Sequence, residues 1–224
     1  MAHLKKLFLK LLFITIVLCI NNAAHAQNWK LEKKVNILFG LAQPIFASGF
    51  NIEGNYIHNR FIFDYSHGAS LDFSGNLVPA DLKKQHVAVH EPWTTGFGVG
   101  YRLKEWINVR VEPKWHRFEF YYDGELQNKN TQITAYNTFS LGLGIYGSYQ
   151  PFKKQNNFLK GFMVAPSIRF WPTIHSGLKD GTFSYLNKST GKSEEIKTLQ
   201  PGTGFTPFVI NISVGYSFLL KKKI

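Results

Sequence analysis

The sequence predicts an all-β chain, an eight-stranded antiparallel up-and-down transmembrane β-barrel. Three observations carry this expectation. Apolar and polar residues alternate with a period of two over eight segments, the connections between them alternate short and long, and the residues assigned to the apolar faces, such as Phe97 to Leu103 and Ile107 to Trp115 alternately, carry no formal charge. The stretch TTGFGVGYRLKEWINVRVEPKW (residues 94–115) shows the pattern. Phe97, Val99, Tyr101 and Leu103 alternate with Gly96, Gly98, Gly100 and Arg102, and after Lys104-Glu105 the alternation resumes. Only a strand puts every second residue on one face.

The chain has 224 residues, and its one long apolar run lies at the start. Lys5, Lys6 and Lys10 precede a greasy stretch from Leu11 to Ile20, and Ala24-His25-Ala26 closes it. A basic region, a short apolar region and an A-x-A site make a cleaved export signal over residues 1–26. The single cysteine, Cys19, leaves with that signal, so the mature chain has no disulfide and no thiolate chemistry. The remaining organisation is a periplasmic arm (27–34), the barrel (35–220) and a basic tail (221–224).

The eight strand segments are 35–43, 50–57, 60–71, 94–103, 106–119, 136–151, 159–172 and 206–220. Residues 58–60, 104–105 and 153–157 are the short turns. Residues 44–49, 72–93, 120–135 and 173–205 are the longer loops. Short turns at one rim and long loops at the other mark an outer-membrane type of barrel. Within the last loop, residues 181–199 read as two strand-like arms about a Lys-Ser-Thr-Gly-Lys turn, a hairpin expected to extend the barrel outward.

Which face is inside follows from volume. An eight-stranded barrel has an interior that side chains just fill. It could not hold the Phe, Tyr, Trp and Ile of the apolar faces, whereas the opposite faces are rich in Gly, Ala, Ser and Asn. The apolar faces are therefore assigned outward. A Lys or Arg there would cost about 2–4 kcal/mol at mid-membrane. A soluble barrel, greasy inside, is the rival this excludes.

The inward set holds Glu53, Asp64, Arg102, Arg110, Glu112, Lys114 and Arg169, with His116 beside them. Gly96, Gly98, Gly100, Gly142 and Gly144 on neighbouring strands are expected to make room for these charges. Buried ions persist when paired, so the group is expected to form a lumenal charge network that blocks the barrel. The alternative is a narrow water-filled channel lined by the same charges. Inward Leu38, Ile62, Met163, Val209 and Trp171 break the polar rule and suggest a small apolar plug. Pro113 and Pro166 fall inside strands, where bulges or an early exit from the membrane are expected because proline donates no hydrogen bond.

The C-terminal stretch SVGYSFLL places Ser213, Gly215, Phe218 and Leu220 as polar, glycine, aromatic and hydrophobic at fixed spacing. It resembles the terminal signal read by the barrel assembly machinery, with the departure that the chain continues as KKKI. The whole mature chain resembles the small eight-stranded outer-membrane barrels of the OmpA/OmpX type and the small barrel proteins of the Bacteroidetes. That resemblance implies a Gram-negative outer membrane, with membrane lipids and the assembly machinery as partners. The peptidoglycan-binding domain that often follows such barrels is not expected, since six residues follow Phe218.

Charge is uneven. Of the net +12, the export segment holds +3, the upper loops sum to −1, the barrel wall gives +1 and the lower rim carries +9. Anionic head groups of the inner leaflet suit that rim, each basic residue contributing about 1 kcal/mol near such a surface. Nucleic acid is not an expected partner of an exported barrel, despite a pI near 9.7.

Chemistry is not expected. On a strand, a His and a Ser share a face at a spacing of two, and no His here is followed two residues later by Ser. His67 and Ser70 face opposite ways. His86 and His90 would stand roughly 13 Å apart on a strand. No phosphate loop or Cys/His metal spacing occurs, so no catalytic residue, cofactor or metal is expected. The reading is a barrel with a largely plugged lumen, acting structurally or through an unidentified partner of its extracellular loops. The alternative is a narrow, porin-like channel or small-solute conduit, and an envelope lipid-modifying enzyme ranks below it.

Overall fold

A computed structural model describes residues 29–220. The export segment with Cys19, and the tail Lys221 to Ile224, lie outside the described residues. The strands are β1 (Lys33–Gly40), β2 (Phe50–His58), β3 (Phe61–Phe73), β4 (Val87–Lys104), β5 (Ile107–Tyr122), β6 (Thr134–Gly147), β7 (Phe162–Phe170), β8 (Thr173–Ser176), β9 (Thr182–Asn187), β10 (Lys192–Lys197) and β11 (Phe208–Leu219). Two short helices, α1 (Ala42–Phe46) and α2 (Ala80–Lys84), lie in the upper loops.

Eight strands close a ring. β1 to β7 pair in sequence, β11 pairs with β7, and β11 returns to β1, every pairing antiparallel. The fold is an eight-stranded antiparallel up-and-down β-barrel. Among the described residues no helix is long and apolar enough to cross a membrane; a barrel crosses with strands.

The ring is inside-out. Phe63 is 48% exposed while the adjoining Asp64 is 6% exposed, and Val111 is 48% exposed beside Glu112 at 1%. Aromatic rings meet across strands on the outer surface, among them Trp115 and Phe139 at 5.2 Å and Phe170 and Phe208 at 5.1 Å. Such pairs contribute about 0.2–1 kcal/mol each. Ile212 and its partner Pro166 have the outward parity but are buried.

Glycines inside make the ring's contents possible. A Cβ at Gly100 would lie 2.6 Å from Cγ of Arg110, one at Gly98 would collide with the Asp64 carboxylate, and one at Gly96 with the Lys114 stem. Gly142 lies under the Trp171 ring and Gly144 under Tyr146.

Several elements differ from the sequence reading. Residues 42–46 turn into α1, so Gln43 is not a wall residue. β4 begins at Val87, which takes residues 87–93 out of the loop and into the wall. β7 stops at Phe170, and beyond Pro172 its place beside β6 is taken by β8. The hairpin does form, from β9 and β10, but as a separate two-stranded sheet that does not prolong the wall.

The two prolines do not make bulges. Pro113 keeps its place opposite Leu141 of β6, and the β4–β5 ladder simply lacks pairs between Gly96–Lys114 and Val99–Val111 without a change of register. Pro166 keeps its place opposite Ile212, and the β6–β7 ladder stops at Tyr146–Ser167, to resume as one bridge at Tyr149–Val164. Each proline turns its missing donor to one neighbour only. Gly147 leaves room there, since a Cβ on it would come within 2.8 Å of the Pro166 ring.

Candidate functional site

The site is the lumen, and it has three levels. At mid-height, β5 projects Arg110, Glu112 and Lys114 inward, β2 projects Glu53 and β3 projects Asp64. All are 6% exposed or less. Arg110 is the hub. Its Nη1 lies 2.6 Å from Glu53 Oε1 and 3.2 Å from Asp64 Oδ2, and its Nε donates to Asn108 Oδ1 at 2.8 Å. Asn55 also donates to Glu53, at 2.7 Å. The guanidinium lies 4.0 Å from the Tyr146 ring centre.

Glu112 accepts from two neutral donors, the Tyr146 hydroxyl and Trp171 Nε1, the latter at 3.1 Å. Lys114 and Arg169 lie 4.3 and 4.9 Å from the centre of the Trp171 ring. Neither has a carboxylate within the 4.0 Å of an ion pair among the described residues. Arg169 donates instead to Ser167 Oγ, at 2.9 and 3.1 Å. Below, Leu38, Met163 and Ala165 form a small apolar cluster, with Ile62 also buried nearby on β3. A space of about 10 Å³, room for one water, lies between Arg110 and the Leu38–Met163 cluster.

Of the seven charges the sequence grouped together, Arg102 does not join the others. It lies at the lower mouth and ties down the arm. Its guanidinium donates to the Trp29 carbonyl at 2.8 Å and to the Asn59 carbonyl at 3.2 Å, and pairs with Glu32 at 3.1 Å. The Trp29 ring sits between Arg60 and Arg102, 5.6 and 5.0 Å from its centre. Lys34 also reaches Glu32, at 3.4 Å.

Burial acts to raise the Glu32 carboxyl, but Lys34, Arg102 and Lys153 outweigh it and hold the group below its ordinary range. A depressed carboxylate stabilises the fold fully above its unfolded pKa, and that stabilisation is lost as pH falls through the lower folded value. Acidification below about pH 4 should therefore loosen the arm and change Trp29 emission in the folded barrel. The change should be missing from Glu32→Gln; identical titrations would refute the role of Glu32.

In the upper lumen, His116 is held on three sides. Its Nδ1 lies 2.9 Å from both Glu91 Oε1 and Thr94 Oγ1, and its Nε2 lies 2.9 Å from Ser140 Oγ. A register shift in β4 between His90 and Thr94 brings Glu91 and Thr94 inward together, re-aiming side chains as bulges do. Spacing rules do not reach this group, because Glu91 falls in the segment the sequence reads as a loop (72–93) and the His–Ser pair spans two strands. Ser–His–Glu in line is the order of a hydrolytic triad, but Ser140 is 0% exposed and His116 1%. It has no open space for an acyl group, and acts as a hydrogen-bonded closure.

Above that closure the inward faces turn apolar. Val87, Val89, Phe118, Phe120 and Tyr136 of the wall pack with Leu82 of α2 and with Tyr185, Ile196 and Leu199 of the hairpin region. The hairpin thus folds onto the mouth as a cap. A cleft of about 370 Å³ remains at its side, lined in part by Tyr122, Gln132, Ser184 and Lys188.

Of the terminal motif, Ser213 is buried in the lumen, and Phe218 and Leu220 are exposed on the outer face. Gly215 lets the β1 backbone approach, since a Cβ on it would collide with the Ile37 carbonyl.

A closed barrel with ions inside and apolar side chains outside is the architecture of transmembrane β-barrels. No family model and no curated protein matches the sequence. Among solved structures, a major outer membrane protein of Thermus thermophilus aligns with 87% of this chain and 100% of its own, at 15% identity and a TM-score of 0.45. Ail, the attachment invasion locus protein of Yersinia pestis, aligns in its crystal structure with 84% of this chain and 100% of its own, at 12% identity and 0.42. Its structure in a phospholipid nanodisc gives 13% and 0.37, over 84% and 99%. No residue role is carried over from them.

Proposed function

We propose that the chain is an integral protein of a bacterial outer membrane, closed to ions through its lumen and acting structurally or through its capped upper loops. The observation that carries this reading is the segregation itself. Six of the grouped ionic residues fill the lumen, while the exposed residues of the opposite parity, Phe61 to Tyr65, Phe97 to Leu103 and Leu141 to Ile145 alternately, are apolar, and Arg117 and Glu119 of β5 share that parity only beyond Trp115. A solvated exterior gives no reason for that division. The resemblance to the OmpA/OmpX type and to Bacteroidetes barrels, the export signal, and the terminal Ser213–Leu220 motif as an assembly signal belong to this reading. The lower rim supports it further. Lys30, Lys33, Lys104, Lys154 and Lys160 are exposed there, suited to anionic head groups of the inner leaflet. The side cleft of the cap offers the loops a place to engage a partner. Catalysis is not part of the proposal, because Ser140 is enclosed.

The test is planar-bilayer conductance of the refolded mature protein. The charge network, the Trp29 arm and the cap lie in series, so no steady current is expected. Steady large openings would overturn the closed lumen and favour the channel alternative.

A further inference from the structure

The cleft beside the cap lies between two fixed walls. One is the end of β5 with the loop that follows it. In that loop the Thr131 and Gln132 amides turn back to the Asn128 carbonyl at 3.2 and 3.0 Å, and the Ile133 amide returns to the Phe120 carbonyl at 2.8 Å. The other wall is β9. Two contacts join them. The Tyr122 hydroxyl donates to the Leu186 carbonyl at 2.5 Å, and Lys188 pairs with Glu125. The walls are thus set before any ligand arrives, which lowers the cost of binding. The space between them is about 370 Å³. Ligand pockets span about 300–1,000 Å³, so this one suits a small ligand.

Its lining is mixed and carries no net charge. Tyr122, Ile133 and Leu186 supply apolar surface, and Leu186 is 57% exposed. Asn130, Gln132 and Ser184 supply two carboxamides and a hydroxyl. Gln132 Nε2 donates to the Tyr121 hydroxyl at 3.1 Å, which leaves its carbonyl oxygen. The Asn130 carboxamide and the Ser184 hydroxyl have no partner among the described residues. The two charged side chains of the lining, Glu125 and Lys188, neutralise one another.

These features select the ligand. An ion would meet no net opposite charge. A wholly apolar molecule would take water from three polar groups and return no hydrogen bond. An extended peptide could add to a free sheet edge, but on the edge of β9 that borders the cleft the Tyr122 hydroxyl already holds the Leu186 carbonyl. A carboxamide offers a donor and an acceptor side by side, which matches neighbouring hydroxyls on a sugar ring.

We propose that the cleft binds a neutral saccharide of about one or two rings. A C–H face of the sugar lies on Ile133 and Leu186. Its hydroxyls pair with the Asn130 carboxamide, the Gln132 carbonyl oxygen and the Ser184 hydroxyl. The inference rests on the reading above that this cleft engages a partner, and gives that partner a chemical class.

Saturation-transfer NMR on the protein refolded into vesicles tests it. The probes are lactose, maltose, cellobiose and N,N′-diacetylchitobiose, with a sulfated heparin disaccharide as the charged control. The peptide Thr-Val-Thr-Val-Thr-Val probes strand addition. At least one neutral sugar should give a saturable signal. Asn130→Ala should weaken that sugar roughly fivefold or more, the loss of one hydrogen bond. Ser184→Trp, at an exposed position on the cleft, should abolish the signal while the unheated protein keeps its folded migration in gels. A signal unchanged by both variants, or tighter binding of the sulfated sugar, overturns the site. Binding of the peptide alone overturns the saccharide and keeps the cleft as a partner site. Silence from every probe overturns both.

Discussion

Arg110→Met is expected to destabilise the refolded barrel by about 3–5 kcal/mol, the cost of leaving buried ions without their partner. Arg110 is 5% exposed and holds Glu53 at 2.6 Å and Asp64 at 3.2 Å. Methionine replaces most of its volume, so the loss measures charge rather than a cavity. Two buried carboxylates then remain, 3% and 6% exposed, without the guanidinium that pairs with them. Adding Glu53→Gln and Asp64→Asn to the Arg110→Met variant should recover most of the loss, because they remove the orphaned charges. Urea unfolding from lipid, followed by tryptophan emission and by the migration of unheated protein in gels, measures both. A change under about 1 kcal/mol, the size of an exposed ion pair, would mean that water solvates the network. The barrel would then be a channel at that level.

Much of this arrangement is legible in the sequence because the strand period is two. Phe97, Val99 and Tyr101 against Gly96, Gly98 and Gly100 fix one face as bulky and the other as bare, and closure decides which turns inward. The partners of the bare face are not legible. Gly98 gives way to Asp64 of β3, whereas Gly100 gives way to Arg110 of β5, and only register assigns them. Parity also fails where the register shifts. Glu91 and Thr94 are three apart, yet both face inward, so the contacts around His116 escape any i to i+2 rule. Pro166 shows a third limit. Its missing donor is evident from the residue alone, but whether the chain bulges or drops pairs depends on the neighbour, and Gly147 permits the second. The hairpin follows from local turn chemistry, with Gly191 at φ +66° in the turn. Its packing onto the mouth depends on Phe118, Phe120 and Tyr136, which lie more than forty residues earlier.

Phe120→Ala should separate that cap from the wall. Phe120 is 0% exposed, 4.7 Å from the Phe183 ring and 5.7 Å from the Tyr136 ring. Truncating such a buried ring costs about 3–5 kcal/mol. The loss falls on elements whose other support is small, since β9 and β10 pair only with each other. The cap should therefore open while the ring stays closed. Trypsin should cut rapidly at Lys188 or Lys192, either side of the hairpin turn, and the unheated protein should keep its folded migration. Resistance equal to the native protein would mean that the cap does not depend on this core; joint loss of the folded band would mean that cap and wall melt as one unit. The variant should remain silent in a bilayer, because the Arg110 network and the Trp29 arm still stand below it. Combined with Arg110→Met, its stability loss should add to within about 0.5 kcal/mol, as for sites without shared partners. Current that appears only in the combined variant would show that each layer alone suffices to close the lumen.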